Sequence, residues 1–236
     1  MAQAHSPSII VFDVNETLLD LTTLEPLFER LFGKDSMMRE WFAQLILYSE
    51  ALTLSGIYVP FGDLAAGALR MVGETSHVMV TDADVDELET LIGAMPAHAD
   101  VAPALEALKE RGFRLVTLTN SAPGAAPTPL ERAGLANYFE RTFSVHDVTR
   151  FKPAPETYRY VATELDAEVS DLCMVACHFW DTIGAQAAGC SAVLVKRPGN
   201  AVMPISGVPT PMIVVDDMHG LTEEIIDRWS ADVRRQ

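Results

Sequence analysis

The feature that most constrains the fold is an apolar run near the amino terminus that ends in a carboxylate. Residues Ile9–Phe12 are mostly β-branched and predict a buried strand, and Asp13 follows them directly. In open α/β sheets, sites form at the carboxyl ends of the parallel strands. Asp13 therefore stands where a carboxylate can act as a nucleophile and form a covalent ester.

Strands and helices alternate along the carboxyl-terminal part of the chain. Further short apolar strands are predicted at residues 113–119, 141–145, 172–176, 192–195 and 212–215. Helices are predicted at residues 103–112, 129–133 and 155–165, and the proline-rich segment 121–129 is predicted to be a loop. This alternation is typical of an α/β fold with a doubly wound parallel sheet, a Rossmann-like core.

The segment between the first strand and this alternating region is predicted to be helical. Apolar residues recur at three- and four-residue spacing in segments 24–32, 37–52 and 64–72, and Thr81 with an acidic first turn opens a further helix. No strand of a parallel sheet is predicted here. We therefore expect residues 21–96 to form an inserted helical cap domain, and residues 1–20 and 97–236 to form the core domain.

Composition narrows the class of protein. A hydrophobic fraction of 49% supports a sizeable core, and a net charge of −16 argues against a nucleic-acid partner. Three cysteines suit a reducing compartment better than a disulfide framework. No apolar run is long enough to cross a bilayer, and we expect no signal peptide because the first strand begins soon after Met1. We expect a cytoplasmic protein without membrane partners.

Polar side chains follow four of the predicted strands. They are Asp13 after the first strand, Thr119 and Asn120 after the second, Lys152 in Phe-Lys-Pro, and His178, Trp180 and Asp181 after the next. Taken singly, each has an ordinary structural explanation as a turn, surface or packing residue. Because the strands share one sheet, these groups are expected to converge at one edge. Lys152 would then neutralise the charge between Asp13 and Asp181 and favour ionised Asp13.

The order and spacing of these motifs resemble the haloacid dehalogenase superfamily, and within it the L-2-haloacid dehalogenase (type II) branch. The resemblance covers essentially the whole chain. It rests on Phe-Asp-x-x-x-Thr-Leu from residue 12, Leu-Thr-Asn-Ser from 118, Phe-Lys-Pro-x-Pro-x-x-Tyr from 151 and Trp-Asp-x-x-Gly-Ala from 180.

This resemblance implies a two-step displacement in which Asp13 forms an ester with the substrate and water then hydrolyses it. Lys152 would steady the nucleophile, and Asp181 would position or activate the water. Thr119 and Asn120 would hold the substrate carboxylate. The apolar wall of the pocket would be formed by Trp180 and Tyr158, with Phe61 from the cap. The resemblance also implies a homodimer, a small carboxylate substrate, and neither a metal nor another cofactor.

Two positions argue against the magnesium-dependent phosphatases that make up most of the superfamily. Those enzymes resemble one another in having an aspartate two residues after the nucleophile, where this chain has Asn15, which has no acidic proton to donate. They also have a further carboxylate soon after the position of Asp181, and residues 182–185 contain none. Magnesium prefers an oxygen-rich octahedral site. We therefore expect a metal-independent hydrolase, with a magnesium phosphatase as a remaining alternative.

Other positions depart from ordinary 2-haloacid dehalogenases. Those enzymes resemble one another in having an aromatic residue at 15, glycine at 16, asparagine at 178 and a cap arginine after tryptophan. Here the residues are Asn15, Glu16, His178 and, after the cap tryptophan, Phe42. Arg39 is close in sequence but is expected on another face of its helix.

These departures leave the leaving group open. The default substrate is a short 2-halocarboxylic acid, and the alternative is ring opening of azetidine-2-carboxylate, an activity of one relative in the branch. In that alternative His178 donates a proton to the leaving nitrogen, while Asn15 and Glu16 bind the substrate. Structural roles also remain open, with Glu16 capping the linker to the cap and His178 bonding within its loop. A weakly catalytic scaffold that only binds a small ligand is the last alternative.

Overall fold

Six strands form one parallel sheet in the computed structural model, which describes residues 6–124 and 126–233. The strands are β1 (Ile9–Phe12), β2 (Arg114–Thr119), β3 (Arg141–Ser144), β4 (Leu172–Ala176), β5 (Ser191–Val195) and β6 (Ile213–Val215). Their order is β3-β2-β1-β4-β5-β6. The central β1 is buried along its whole length and pairs with β2 and β4, so the ends of these three strands lie together.

Nine α-helices are present in the described ranges. They are α1 (Glu25–Phe32), α2 (Met37–Leu54), α3 (Phe61–Thr75), α4 (Asp82–Gly93), α5 (Val101–Glu110), α6 (Pro129–Arg132), α7 (Pro155–Glu164), α8 (Phe179–Ala188) and α9 (Met218–Val233). Helices α5 to α9 alternate with the strands of the core. This arrangement confirms the predicted fold class. None of the helices in these ranges combines the length and the apolar character that a bilayer crossing requires.

Helices α1 to α4 form the cap, which is inserted between β1 and β2. The Trp41 indole of α2 donates a hydrogen bond of 3.0 Å to the Ala65 carbonyl of α3, and this bond fixes the buried contact between the two helices. The two connections to the core run side by side, because Asp20 N–H donates to the Pro96 carbonyl at 2.8 Å. Both lie near the proposed boundaries after residues 20 and 96, which stay predictions.

Two helices begin earlier than the periodicity predicts. Helix α3 begins at Phe61 rather than 64, because its first turn contains exposed Gly62 and Asp63, which carry no apolar signal. Helix α5 begins at Val101, since a proline such as Pro103 is tolerated within a first turn. Residues 1–5 and 234–236 of the predicted core domain, and residue 125 of the predicted loop, lie outside the described residues.

Candidate active site

Asp13 occupies the end of β1 and is held by contacts from three directions. Its backbone N–H donates to the Val175 carbonyl at 2.9 Å. Lys152 Nζ lies 2.8 Å from Oδ1, and the Thr17 hydroxyl donates to Oδ2 at 2.7 Å. Burial alone raises the pKa of this carboxyl, but Lys152 and His178 lower it by more. The pKa of Asp13 therefore lies well below its usual range, and the group is an ionised, positioned carboxylate.

Lys152 is fully buried in the loop between β3 and α7. Its three ammonium protons have three acceptors, which are Asp13 Oδ1, the Leu118 carbonyl at 3.0 Å and Asp181 Oδ2 at 2.6 Å. Its backbone N–H donates to Asn120 Oδ1 at 3.0 Å. Burial lowers the pKa of Lys152, but the two carboxylates raise it above its usual value, so the amine stays protonated.

Asp181 lies in the first turn of α8, opposite Asp13 across the Lys152 ammonium. Its second oxygen, Oδ1, accepts a hydrogen bond of 2.6 Å from the buried Tyr158 hydroxyl. Burial raises the pKa of Asp181, and the net pKa lies above its usual value despite the lowering effect of Lys152. One ammonium thus serves two buried acids, and Asp181 is the one with the greater affinity for a proton.

His178 lies between β4 and α8 on the other side of Asp13. Its ring is stacked between Phe42, at a centroid distance of 5.2 Å, and Trp180, at 5.1 Å. Nε2 lies 2.8 Å from Glu16 Oε2, whereas Nδ1 lies 3.4 Å from Asp13 Oδ2 without the geometry of a hydrogen bond. Burial lowers the pKa of His178, but its surroundings raise it well above its usual value.

A small, narrow cavity opens onto Asp13. It is lined by Asp13, Asn15, Phe42, Ile46, Phe61, Thr119, Asn120, His178 and Trp180. The lining combines one carboxylate, several hydrogen-bonding groups and an apolar wall from the cap. The cavity therefore suits a small molecule with one polar and one apolar end.

The structure brings most of the predicted site residues to this cavity. Asn15, Thr119, Asn120, Trp180 and Phe61 line it, and their contact with substrate stays a prediction.

Two residues predicted to bind substrate do not line the cavity. Tyr158 lies behind Asp181, and Glu16 lies behind His178. Both oxygens of Glu16 already have partners. Oε2 is paired with His178, while Oε1 is paired with Arg39 and accepts a hydrogen bond of 2.9 Å from Asn200 Nδ2. Glu16 therefore has no free oxygen for the predicted pairing with a substrate nitrogen.

Sequence reasoning missed Arg39, Asn200 and Thr17 as parts of the site. Thr17 carries a signal, because it is the threonine of the Phe-Asp-x-x-x-Thr-Leu motif. Asn200 carries none, since it comes from a loop after β5 that is 184 residues from Glu16 in sequence. Arg39 does not line the cavity, but it pairs with the Glu16 carboxylate.

Among the described residues, Asp13, Cys177 and His178 form a group of three whose ligand-type atoms all lie within 4.8 Å of one another. Each is poorly suited to a divalent cation. Asp13 is paired with Lys152, His178 Nε2 is paired with Glu16, and burial raises the pKa of the Cys177 thiol. Asp13 is also the single carboxylate among the cavity-lining residues, whereas magnesium sites require several oxygen ligands.

Comparison with known proteins matches the chain to one family of hydrolases. The family described as haloacid dehalogenase-like hydrolase matches residues 7–189. (S)-2-haloacid dehalogenase 1 of Pseudomonas sp. (strain CBS-3) is 28% identical over 189 residues, covering 79% of this chain and 83% of the relative. (S)-2-haloacid dehalogenase 4A of Burkholderia cepacia is 27% identical over 192 residues, covering 80% and 83%.

The comparison with solved structures also finds similarity to a 2-haloacid dehalogenase. The crystal structure of the L-2-haloacid dehalogenase RSc1362 superposes with a TM-score of 0.87 at 25% identity. The match covers 94% of this chain and 99% of that protein.

Proposed function

The chain belongs to the haloacid dehalogenase-like hydrolases, and from that membership we propose a metal-independent hydrolase that displaces a substituent at C2 of a short carboxylic acid. The preferred substrate class is the 2-halocarboxylic acids. The observation that carries this proposal is the buried, ionised Asp13 carboxylate, which Lys152 and Thr17 hold at the edge of a small, largely apolar cavity.

The first step is nucleophilic displacement. An oxygen of Asp13 attacks C2, a C–O bond forms, and the bond from C2 to the leaving group breaks with its electron pair on that group. Lys152 remains protonated and balances Asp181 while the charge on Asp13 is consumed. The apolar wall excludes water, so the carboxylate reacts with substrate in a low-dielectric setting.

The second step is hydrolysis of the ester. Water attacks the side-chain carbonyl carbon of Asp13, the bond to the hydroxy-acid oxygen breaks, and one water oxygen remains in the carboxylate. Asp181 takes one proton from the attacking water, for which its raised pKa suits it, and this proton passes to the departing hydroxy-acid oxygen. The Tyr158 hydroxyl holds Asp181 in place.

Ring opening of a cyclic amino acid is the second candidate, and one observation favours it. His178 Nδ1 has no hydrogen-bond partner among the described residues, although it is buried beside the nucleophile. A donor there would protonate a leaving nitrogen. Against this candidate, Glu16 has no oxygen free for a cationic substrate. The phosphatase alternative is weaker still, because the cavity offers a single carboxylate.

A substrate panel under chelation tests the proposal. Chloride release from 2-chloropropionate, primary amine formed from azetidine-2-carboxylate, and phosphate release from a phosphate monoester are measured in parallel with EDTA. We expect chloride release that persists in EDTA, is abolished in Asp13→Asn and is unchanged in Asp86→Asn, a variant of an exposed aspartate on α4. Phosphate release alone, lost on chelation, would contradict the proposal.

A cytosolic location and a homodimer also remain proposals that rest on the cysteine content and on the family resemblance. Light scattering coupled to size-exclusion chromatography measures the assembly.

A further inference from the structure

Glu16 has a backbone conformation that is unfavourable for its residue type. Its φ is +67°, in the left-handed region that favours glycine, and a side chain there costs about 1 kcal/mol. The family resemblance implies glycine at this position. Glu16 is also buried. A strained, buried carboxylate persists only where its surroundings fix it, which makes its contacts informative about function.

The contacts of Glu16 join three segments of the chain. Oε2 is paired with His178 Nε2, and Oε1 is paired with Arg39 of the cap and with Asn200 of the core. Arg39 also donates to the Pro198 carbonyl at 2.7 Å. The cap helix α2 is thereby connected through Glu16 to the His178 ring.

The environment of His178 favours a protonated ring. Asp13 faces one ring edge and Glu16 the other, while Phe42 and Trp180 cover its two faces, an arrangement that stabilises cations. The neighbouring Cys177 Sγ lies 3.6 Å from Nε2. Two cations lie one contact further away, Lys152 beyond Asp13 and Arg39 beyond Glu16.

We propose that Glu16 and Arg39 are positioning residues that hold a protonated His178 at the cavity, with its unpartnered Nδ1–H beside Asp13 as the proton donor to the atom leaving C2. Glu16 fixes the ring through Nε2, and Arg39 fixes Glu16 from the cap. This inference rests on the proposed displacement at C2. It assigns to this chain a preference for leaving groups that need a proton, such as fluoride, in the position where related enzymes are implied to use a cap arginine.

The proton and electron balance of the step is complete. As Asp13 forms its bond to C2, the breaking bond leaves its electron pair on fluoride, and the Nδ1 proton transfers to it, leaving a neutral imidazole. Of the two protons of the hydrolytic water, one ends on the hydroxy-acid oxygen through Asp181, and the second, released as the Asp13 carboxylate re-forms, returns to His178. The sum is fluoroacid plus water giving hydroxy acid plus hydrogen fluoride.

Two substrates with different leaving groups test the role of Glu16 in one protein. In Glu16→Gln, which keeps the shape and removes the charge, we expect kcat for 2-fluoropropionate to fall by about 10-fold or more. We expect kcat for 2-bromopropionate to change little, because bromide leaves without a proton. Arg39→Met, which changes a partly exposed side chain, should also lower the ratio of kcat for 2-fluoropropionate to kcat for 2-bromopropionate. The exposed Glu106→Gln is the control. Equal losses on both substrates would overturn the proposal.

Titration of His178 by NMR gives a readout that needs no turnover. The chain has six histidines, and the His178 imidazole signal is identified by its loss in His178→Asn. We expect a protonated ring at neutral pH, and a titration midpoint about one unit or more lower in Glu16→Gln. An unchanged midpoint would overturn the proposal even if both halides react. Inactivity on both substrates with the expected midpoint shift would instead count against the proposed function alone.

Discussion

Lys152 supplies one ammonium to two buried carboxylates, Asp13 and Asp181, and the pKa values of these two acids are shifted in opposite directions. The pKa of Asp13 is lowered, whereas the pKa of Asp181 is raised. Pairs of acids whose environments push their pKa values apart divide into distinct roles in catalysis. The ionised Asp13 suits nucleophilic attack, and Asp181 suits proton transfer from water.

Replacing Tyr158 by Phe tests the role of Asp181. The Tyr158 hydroxyl donates to Asp181 Oδ1 at 2.6 Å, so its loss frees this carboxylate and should slow ester hydrolysis more than ester formation. We expect the Asp13 ester to accumulate, as detected by mass spectrometry of quenched enzyme, and a stability loss of about 1 kcal/mol. Tyr160→Phe removes a hydroxyl bonded to exposed Asp147 and should leave the ester level unchanged. Unaltered ester levels in Tyr158→Phe would contradict this role.

The motif residues could be predicted from sequence, whereas their supporting contacts could not. Asp13, Lys152 and Asp181 each follow an apolar strand, and parallel strands bring such ends together. The partners of Glu16 come from the cap helix and from the loop after β5. Their meeting depends on loop paths and on a left-handed backbone at Glu16, neither of which leaves a periodic pattern in the sequence.

Helix α8 packs closely against the loop that carries Lys152, and Gly184 makes this contact possible. A Cβ at position 184 would lie 2.4 Å from Pro153 Cβ and 2.5 Å from its carbonyl oxygen. The glycine of the Trp-Asp-x-x-Gly-Ala motif therefore serves the placement of Lys152.

Gly184→Ala should displace the loop and lower both stability and activity. We expect a loss of about 1–3 kcal/mol in the free energy of unfolding from overpacking, together with reduced turnover as Lys152 shifts. Gly67→Ala is the matched control, because a Cβ at this exposed position of α3 meets nothing within 4 Å. It should stabilise the protein by about 0.5–1 kcal/mol. Urea unfolding measures both variants, and an unchanged midpoint for Gly184→Ala would contradict the packing account.

Elements were predictable where their apolar pattern is continuous. Strand β4, for example, is buried at all five positions and has the predicted bounds. The ends of helices that are set by capping and turn chemistry were harder to predict from the sequence. Helix α3 is an example, because its first turn begins before the apolar repeat.

The strand order places β1 between β2 and β4, so the site lies at the carboxyl ends of adjacent central strands, which form one edge of the sheet. The cap closes this edge with Phe42, Ile46 and Phe61. The alternation of elements predicted a parallel sheet and an insertion. The contacts of α2 with Glu16 and Pro198 could not be predicted from the sequence, because these residues lie far from one another in the chain.

The charge on His178 gives the stability of the whole molecule a pH dependence of defined sign. Its folded pKa is raised above the unfolded value near 6.5, so its contribution is fully present below about pH 6.5 and is lost as the pH rises through the folded pKa. We expect the difference in unfolding free energy between the wild type and His178→Gln to decrease as the pH rises above about 6.5. The lowered pKa values of Asp13 and Glu16 act at acidic pH, outside this window. A constant or increasing difference would contradict the assignment.

The covalent role of Asp13 is tested most directly by a single turnover in heavy-oxygen water. Enzyme in excess is mixed with 2-chloropropionate, and the peptide that contains Asp13 is analysed by mass spectrometry beside the product. We expect one heavy oxygen in the Asp13 carboxylate and an unlabelled hydroxy acid after the first turnover. Label in the hydroxy acid alone would show direct attack by water at C2 and would contradict the account.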